Sequence, residues 1–154
     1  MSLVMMTAFP IIAKADYWRG AVSEETIPAT CDLGDLAVGA FCSGSYCDNT
    51  WLLCRDTNLT STSNRSWKPF VSEEGNNIRT CGNGYITGLA ANGSYGDNIS
   101  IECSSFTGKA PTNYAWTTAV SEEQGRLDFM DGKFAVAVQC TGAYCDNKRF
   151  LVCS

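Results

Sequence analysis

Trp67-Lys68-Pro69-Phe70-Val71-Ser72-Glu73-Glu74, followed by Gly93-Ser94-Tyr95-Gly96-Asp97-Asn98, is the middle copy of a pattern the chain carries three times. Trp18, Trp67 and Trp116 lie 49 residues apart, as do the Val-Ser-Glu-Glu copies that start at Val22, Val71 and Val120. The sister loops are Gly44-Ser45-Tyr46-Cys47-Asp48-Asn49 and Gly142-Ala143-Tyr144-Cys145-Asp146-Asn147. Self-similarity at a fixed period means one supersecondary unit used repeatedly. Three copies imply a closed, pseudo-threefold domain, because an open solenoid needs atypical capping repeats. The copies run over about 16–64, 65–113 and 114–154 and form a single domain.

Alternation inside each copy predicts strands. Leu36, Val38, Ala40 and Cys42 fall on one face, Phe134, Val136, Val138 and Cys140 repeat them, and Tyr85, Thr87, Leu89 and Ala91 form the weaker middle version. A second strand follows each loop: Trp51 to Cys54, Ile99 to Cys103 and Phe150 to Cys153. Each repeat is therefore a hairpin closed by its tyrosine loop, with a further strand expected from the tryptophan to Val-Ser-Glu-Glu. Linkers such as Asn58 to Ser66 are polar and read as surface loops.

The repeats also compare cysteines internally. Repeat one has Cys31, Cys42, Cys47 and Cys54; repeat two has Cys81 and Cys103, with Ala91 and Gly96 where Cys42 and Cys47 would fall. Those two vanish together, as a bonded pair predicts. The expected disulfides are Cys42–Cys47, Cys140–Cys145, Cys31–Cys54 and Cys81–Cys103. Phe129 and Met130 stand near the place of Cys31 in repeat three, which leaves Cys153 without a partner, as a buried thiol or an intermolecular link.

Composition narrows function. The formal charge of −5 argues against nucleic acid or an anionic membrane as the main partner. Histidine is absent, which removes imidazole bases, histidine zinc sites and Ser-His-Asp or Cys-His nucleophiles. No cofactor or metal is expected, and no enzymatic activity. Leu3 to Ile12 is mostly apolar and Ala13-Lys14-Ala15 fits a small-x-small cleavage box, so residues 1–15 read as a signal peptide of a secreted, disulfide-bonded protein.

The middle repeat resembles that of the vitelline membrane outer layer proteins. The resemblance rests on Cys81-Gly82-Asn83-Gly84-Tyr85-Ile86-Thr87-Gly88-Leu89 and on Gly96-Asp97-Asn98-Ile99-Ser100-Ile101-Glu102-Cys103. It implies an all-β, pseudo-threefold β-prism of three Greek-key sheets; a β-trefoil, also built of three similar repeats, is the alternative. Related prisms occur in jacalin-like lectins, in the middle domain of insecticidal crystal toxins and in some secreted perforin-like proteins. The Cys-x4-Cys-Asp-Asn loop departs from the vitelline pattern.

Two repeated motifs carry the candidate chemistry. In the tyrosine loops, Asp48, Asn49, Asp97, Asn98, Asp146 and Asn147 suit a tight turn, and the same groups bind vicinal hydroxyls while Tyr46, Tyr95 and Tyr144 stack on a pyranose. The Glu pairs 24–25, 73–74 and 122–123 read as exposed turns after the tryptophan strand; as catalytic pairs they are disfavoured, since neighbours on a strand point to opposite faces. The tryptophans are expected in equivalent places, as core or inter-sheet plugs. The expected function is multivalent glycan binding on a cell surface or matrix, at three equivalent weak sites. The alternatives are a membrane-lipid targeting module of a pore-forming protein and an extracellular coat protein.

Overall fold

The computed structural model describes Ala8 and residues 14–60, 64–129 and 131–154. The expected leader falls almost wholly outside these; within it, Lys14 Nζ donates to Asp32 and Asp35 at 3.0 and 3.1 Å. Each repeat folds into four strands. Repeat one supplies β1 (Tyr17–Val22), β2 (Ala29–Thr30), β3 (Asp35–Ser43) and β4 (Asn49–Asp56). Repeat two supplies β5 (Ser66–Trp67), β6 (Ile78–Thr80), β7 (Tyr85–Asn92) and β8 (Asn98–Ser104). Repeat three supplies β9 (Ala115–Trp116), β10 (Arg126–Asp128), β11 (Phe134–Thr141) and β12 (Asn147–Cys153).

These strands form three four-stranded antiparallel sheets, and each sheet draws on two repeats. The orders are β1-β4-β3-β10, β5-β8-β7-β2 and β9-β12-β11-β6. The tryptophan strand and the hairpin come from one repeat, and the fourth strand from the repeat before it in cyclic order. Repeat one gives β2 to sheet two, repeat two gives β6 to sheet three, and repeat three gives β10 to sheet one. The exchange closes the chain on itself without an unpaired end repeat.

The long hairpin strands are where alternation expects them, with one difference. The pairing slips by one residue at Ala37/Gly39, Ile86/Gly88 and Ala135/Ala137. A bulge inserts an unpaired residue and so moves the residues before it to the other face. Ala37, Ala40 and Cys42 therefore line the central core, while Leu36 joins a second cluster with Tyr85, Phe106, Val136 and Cys153. The central core draws Leu52, Ile86, Leu89, Ile99, Ile101, Val138 and Phe150 from all three hairpins.

The four expected disulfides are present, with Cα–Cα distances of 4.8–5.7 Å. Cys153 is free and buried, which selects the buried thiol of the two readings, but the reason differs from the expected one. Register places Val152 opposite Ala135, where Cys54 faces Ala37 and Cys103 faces Ile86. Repeat three has thus lost both members of its long disulfide, replaced by Phe129 and Val152. Cys153 stands one position further on, beside Tyr85, in the second cluster, and burial pushes its thiol pKa up.

Candidate functional site

The three tyrosine loops meet at one end of the molecule. Ring centroids of Tyr46, Tyr95 and Tyr144 lie 5.1, 4.8 and 5.0 Å apart in the three pairings, each at a tilted or edge-on angle. Such edge-to-face packing is favoured by the ring quadrupole. The rings nevertheless remain 38, 41 and 37% exposed, so they form a surface rather than a plug. The three loops thus present their tyrosines on one shared surface.

Backbone geometry explains why each loop has these residues. Each tyrosine sits in the left-handed region, at φ of 59, 55 and 55°. Cys47 and Cys145 follow at 55 and 57°, and Gly96 takes that place at 65°. Consecutive left-handed residues are costly without glycine and persist only where surroundings hold them; the disulfide in loops one and three and the glycine in loop two serve that end. The leading glycine has a positive φ too, and a Cβ on Gly44 would lie 2.7 Å from Asn49 Nδ2, or on Gly142 2.6 Å from Asn147 Nδ2. Asn49, Asn98 and Asn147 thus close over their own loops, and Asn98 Nδ2 donates to Asp97 Oδ1 at 2.9 Å.

The Val-Ser-Glu-Glu turns converge on the same end. Val22, Val71 and Val120 are buried, and Ser23 and Ser72 accept backbone hydrogen bonds from Glu25 and Glu74. These are turns, not strands, so the first glutamate of each is free to reach a loop. Glu73 Oε1 accepts from the Tyr144 amide at 3.1 Å, and Glu122 accepts from the Tyr46 and Cys47 amides. The Glu24 and Asp48 carboxyls sit as close neighbours, as do those of Glu122 and Asp146, and each pair can share a hydrogen bond only when one of its carboxyls is protonated. The tyrosine platform is therefore rimmed by Asp–Glu neighbours, a link between motifs that their separation in sequence conceals.

Electrostatics follow from that crowding. Burial, then the neighbouring Glu24, pushes Asp48 up to about 6, and burial, then Glu122, does the same to Asp146. Asp97 is raised by burial and by Glu73 and Glu74. Glu122 is lowered, first by the Asp146 hydrogen bond and then by backbone amides. Beneath the platform lies Lys148, fully buried, with Nζ donating to Cys47 O at 3.2 Å and Cys145 O at 2.9 Å. It joins loop one to loop three, and burial pulls its pKa down to about 8. Sequence reading passed over it because it is a lone lysine in a strand pattern.

The tryptophans are not core plugs. Trp18, Trp67 and Trp116 are 37, 42 and 37% exposed, on the outer faces of their sheets. Their places are equivalent, as expected: they pair with Leu53, Glu102 and Leu151, again 49 residues apart. An edge strand of a three-sheet body has only one face toward the core, and these rings take the other. No group of histidine, cysteine or carboxylate side chains suited to a metal ion occurs among the described residues. Nor is any helix among them long and apolar enough to cross a membrane.

Comparison of the chain with protein-family models, with curated proteins and with solved structures finds no match.

Proposed function

We propose that the chain is a secreted, non-catalytic recognition module, built as a β-prism, whose tyrosine platform binds neutral glycans. The observation that carries this reading is the convergence of Tyr46, Tyr95 and Tyr144 into one exposed aromatic surface rimmed by carboxylates. Aromatic faces take the apolar side of a pyranose, and carboxylate oxygens accept from its hydroxyls. The surrounding acids disfavour anionic sugars. The prism reading is supported by three four-stranded antiparallel sheets joined in a cyclic exchange of strands. Four disulfides fit an extracellular protein.

A glycan array of the oxidised protein, read beside Tyr46→Asn and Tyr144→Asn variants, tests the proposal. Asparagine tolerates the left-handed backbone at those positions, so the variants keep the loops and lose the rings. The expected result is binding to neutral glycans, weakened about two- to tenfold in folded variants, the scale of a lost aromatic contact. Asp48→Ala and Asp146→Ala are expected to weaken binding more than Asp97→Ala, because loops one and three are held by disulfides before binding. Undiminished binding by all these folded variants would make the platform a structural closure.

A further inference from the structure

The three sheets share one backbone plan, so their outer faces can be compared position by position. Trp18, Phe41 and Trp51 lie side by side on sheet one. Their counterparts on sheet two are Trp67, Ala90 and Ser100, and on sheet three Trp116, Gln139 and Arg149. Strand pairing is the same in all three. The fold therefore has no need of the two extra aromatic rings on sheet one, which stand half-buried beside the exposed Trp18.

On sheet one these rings form an open cleft of about 400 Å³, lined by Trp18, Phe41, Trp51 and Arg126. Phe41 stands 6.2 Å from Trp18 and 5.1 Å from Trp51. Arg126 comes from the strand donated by repeat three; its guanidinium lies 5.3 Å from the Trp18 ring, and its Nε donates to both Asp128 oxygens at 3.0 Å. Gly20 makes the cleft possible, since a Cβ there would lie 2.8 Å from Trp51 Cδ1. Sheet two has a cleft of its own, about 440 Å³, beside Trp67 and Phe70; on sheet three the region is filled, with the Arg149 guanidinium 4.8 Å over Trp116 and Arg149 Nε donating to Gln139 Oε1.

We infer that the Trp18–Phe41–Trp51 cleft of sheet one is a second, independent binding site, and that it takes a neutral hexopyranose. The volume falls in the range of small-ligand sites. Its wall is aromatic, with Phe41 tilted by 70° to Trp18 and by 57° to Trp51, so the C–H side of a sugar would meet one ring face at a time. Its lining carries one arginine, whose charge is balanced by Asp128 accepting from its Nε; the remaining guanidinium donors suit hydroxyls without net attraction to an anion. The inference shares its ligand class with the proposed function but rests on different residues at a different place.

Its test uses a double variant that the molecule already tolerates elsewhere: Phe41→Ala with Trp51→Ser gives sheet one the residues of sheet two. The whole oxidised protein is titrated with methyl glycosides of mannose, galactose and N-acetylglucosamine by saturation-transfer NMR. The expected result is transfer to at least one glycoside, with Kd raised at least tenfold in the double variant, which still unfolds in a single cooperative transition. Arg126→Lys, which keeps the charge but loses the fork, is expected to weaken the same signal several-fold. The comparison is repeated in the Tyr46→Asn background, where the remaining signal belongs to the cleft and is expected to be lost with Phe41→Ala/Trp51→Ser. If the double variant binds like the parent while Tyr46→Asn does not, the cleft is overturned and the platform stands. If the parent binds no glycoside but floats with phosphatidylcholine vesicles, and the double variant does not float, the cleft is a lipid surface and the sugar inference fails. If the cleft binds and the platform variants have no effect on any glycan, the inference stands and the platform reading falls.

Discussion

Position 148 holds a lysine where the sister hairpins carry Thr50 and Ile99. Its ammonium satisfies two buried carbonyls from different loops and stands among Asp48, Asp146 and Glu122. Removing one partner of such a set leaves the others desolvated and uncompensated. Lys148→Met is expected to cost about 2–4 kcal/mol, read as a lower denaturant midpoint. Asp48 and Asp146 titrate in the opposite sense to most structural carboxylates. Their folded values, about 6, exceed the free value of 3.8. The native state therefore binds more protons between those values. Their contribution to stability is full below pH about 4 and is lost as pH rises through about 6. Thermal unfolding from pH 4.5 to 7.5 should show this fall in the parent and lose it in the Asp48→Asn/Asp146→Asn double variant. In Lys148→Met the fall should move to higher pH, since the cation that lowers both groups is gone. None of this was legible in the sequence, where Lys148 lies about a hundred residues from the Cys47 carbonyl it bonds.

Loop two lacks the strap of its sisters, yet its backbone is already shaped for one. Gly96 has a φ of 65°, close to the 55 and 57° of Cys47 and Cys145. A Cβ built on it lies 3.3 Å from that of Ala91, near the spacing a disulfide requires. Oxidised Ala91→Cys/Gly96→Cys protein is therefore expected to form a fifth disulfide and gain roughly 2 kcal/mol from the short closed loop. Intact mass and thermal midpoint check it; cysteines that stay reduced would show that loop two follows a different path. The strands of these hairpins were legible because they are seven to nine residues long and alternate. Their bulges were not, since one unpaired residue leaves no compositional trace. The donated strands Ala29–Thr30, Ile78–Thr80 and Arg126–Asp128 were invisible for a different reason: two or three residues cannot display a period.

At the scale of the molecule, every sheet depends on a neighbour. A chain ending at residue 113 would lack β9 to β12, leave β6 with no sheet to join, and leave β3 without β10. Such a fragment is expected to give no cooperative unfolding transition, whereas the whole chain should unfold in a single step whose far-ultraviolet and tryptophan signals coincide. A fragment of two repeats with a sharp transition of its own would contradict this. The 49-residue period made the closed arrangement legible, but not who clasps whom. The tryptophans were misplaced because a large aromatic at a repeated position reads as buried, and only the assembled sheets reveal which side faces out. The circular handing-on of strands also bears on ancestry. Nothing in it requires the three units to be covalently joined: each offers one short strand and accepts one. A lone ancestral unit would have had everything needed to assemble as a ring of three identical subunits, and gene duplication would then have fused that trimer into one polypeptide. Such a fusion would free the three outer faces to diverge, so that one could gather aromatic rings while another filled with polar side chains.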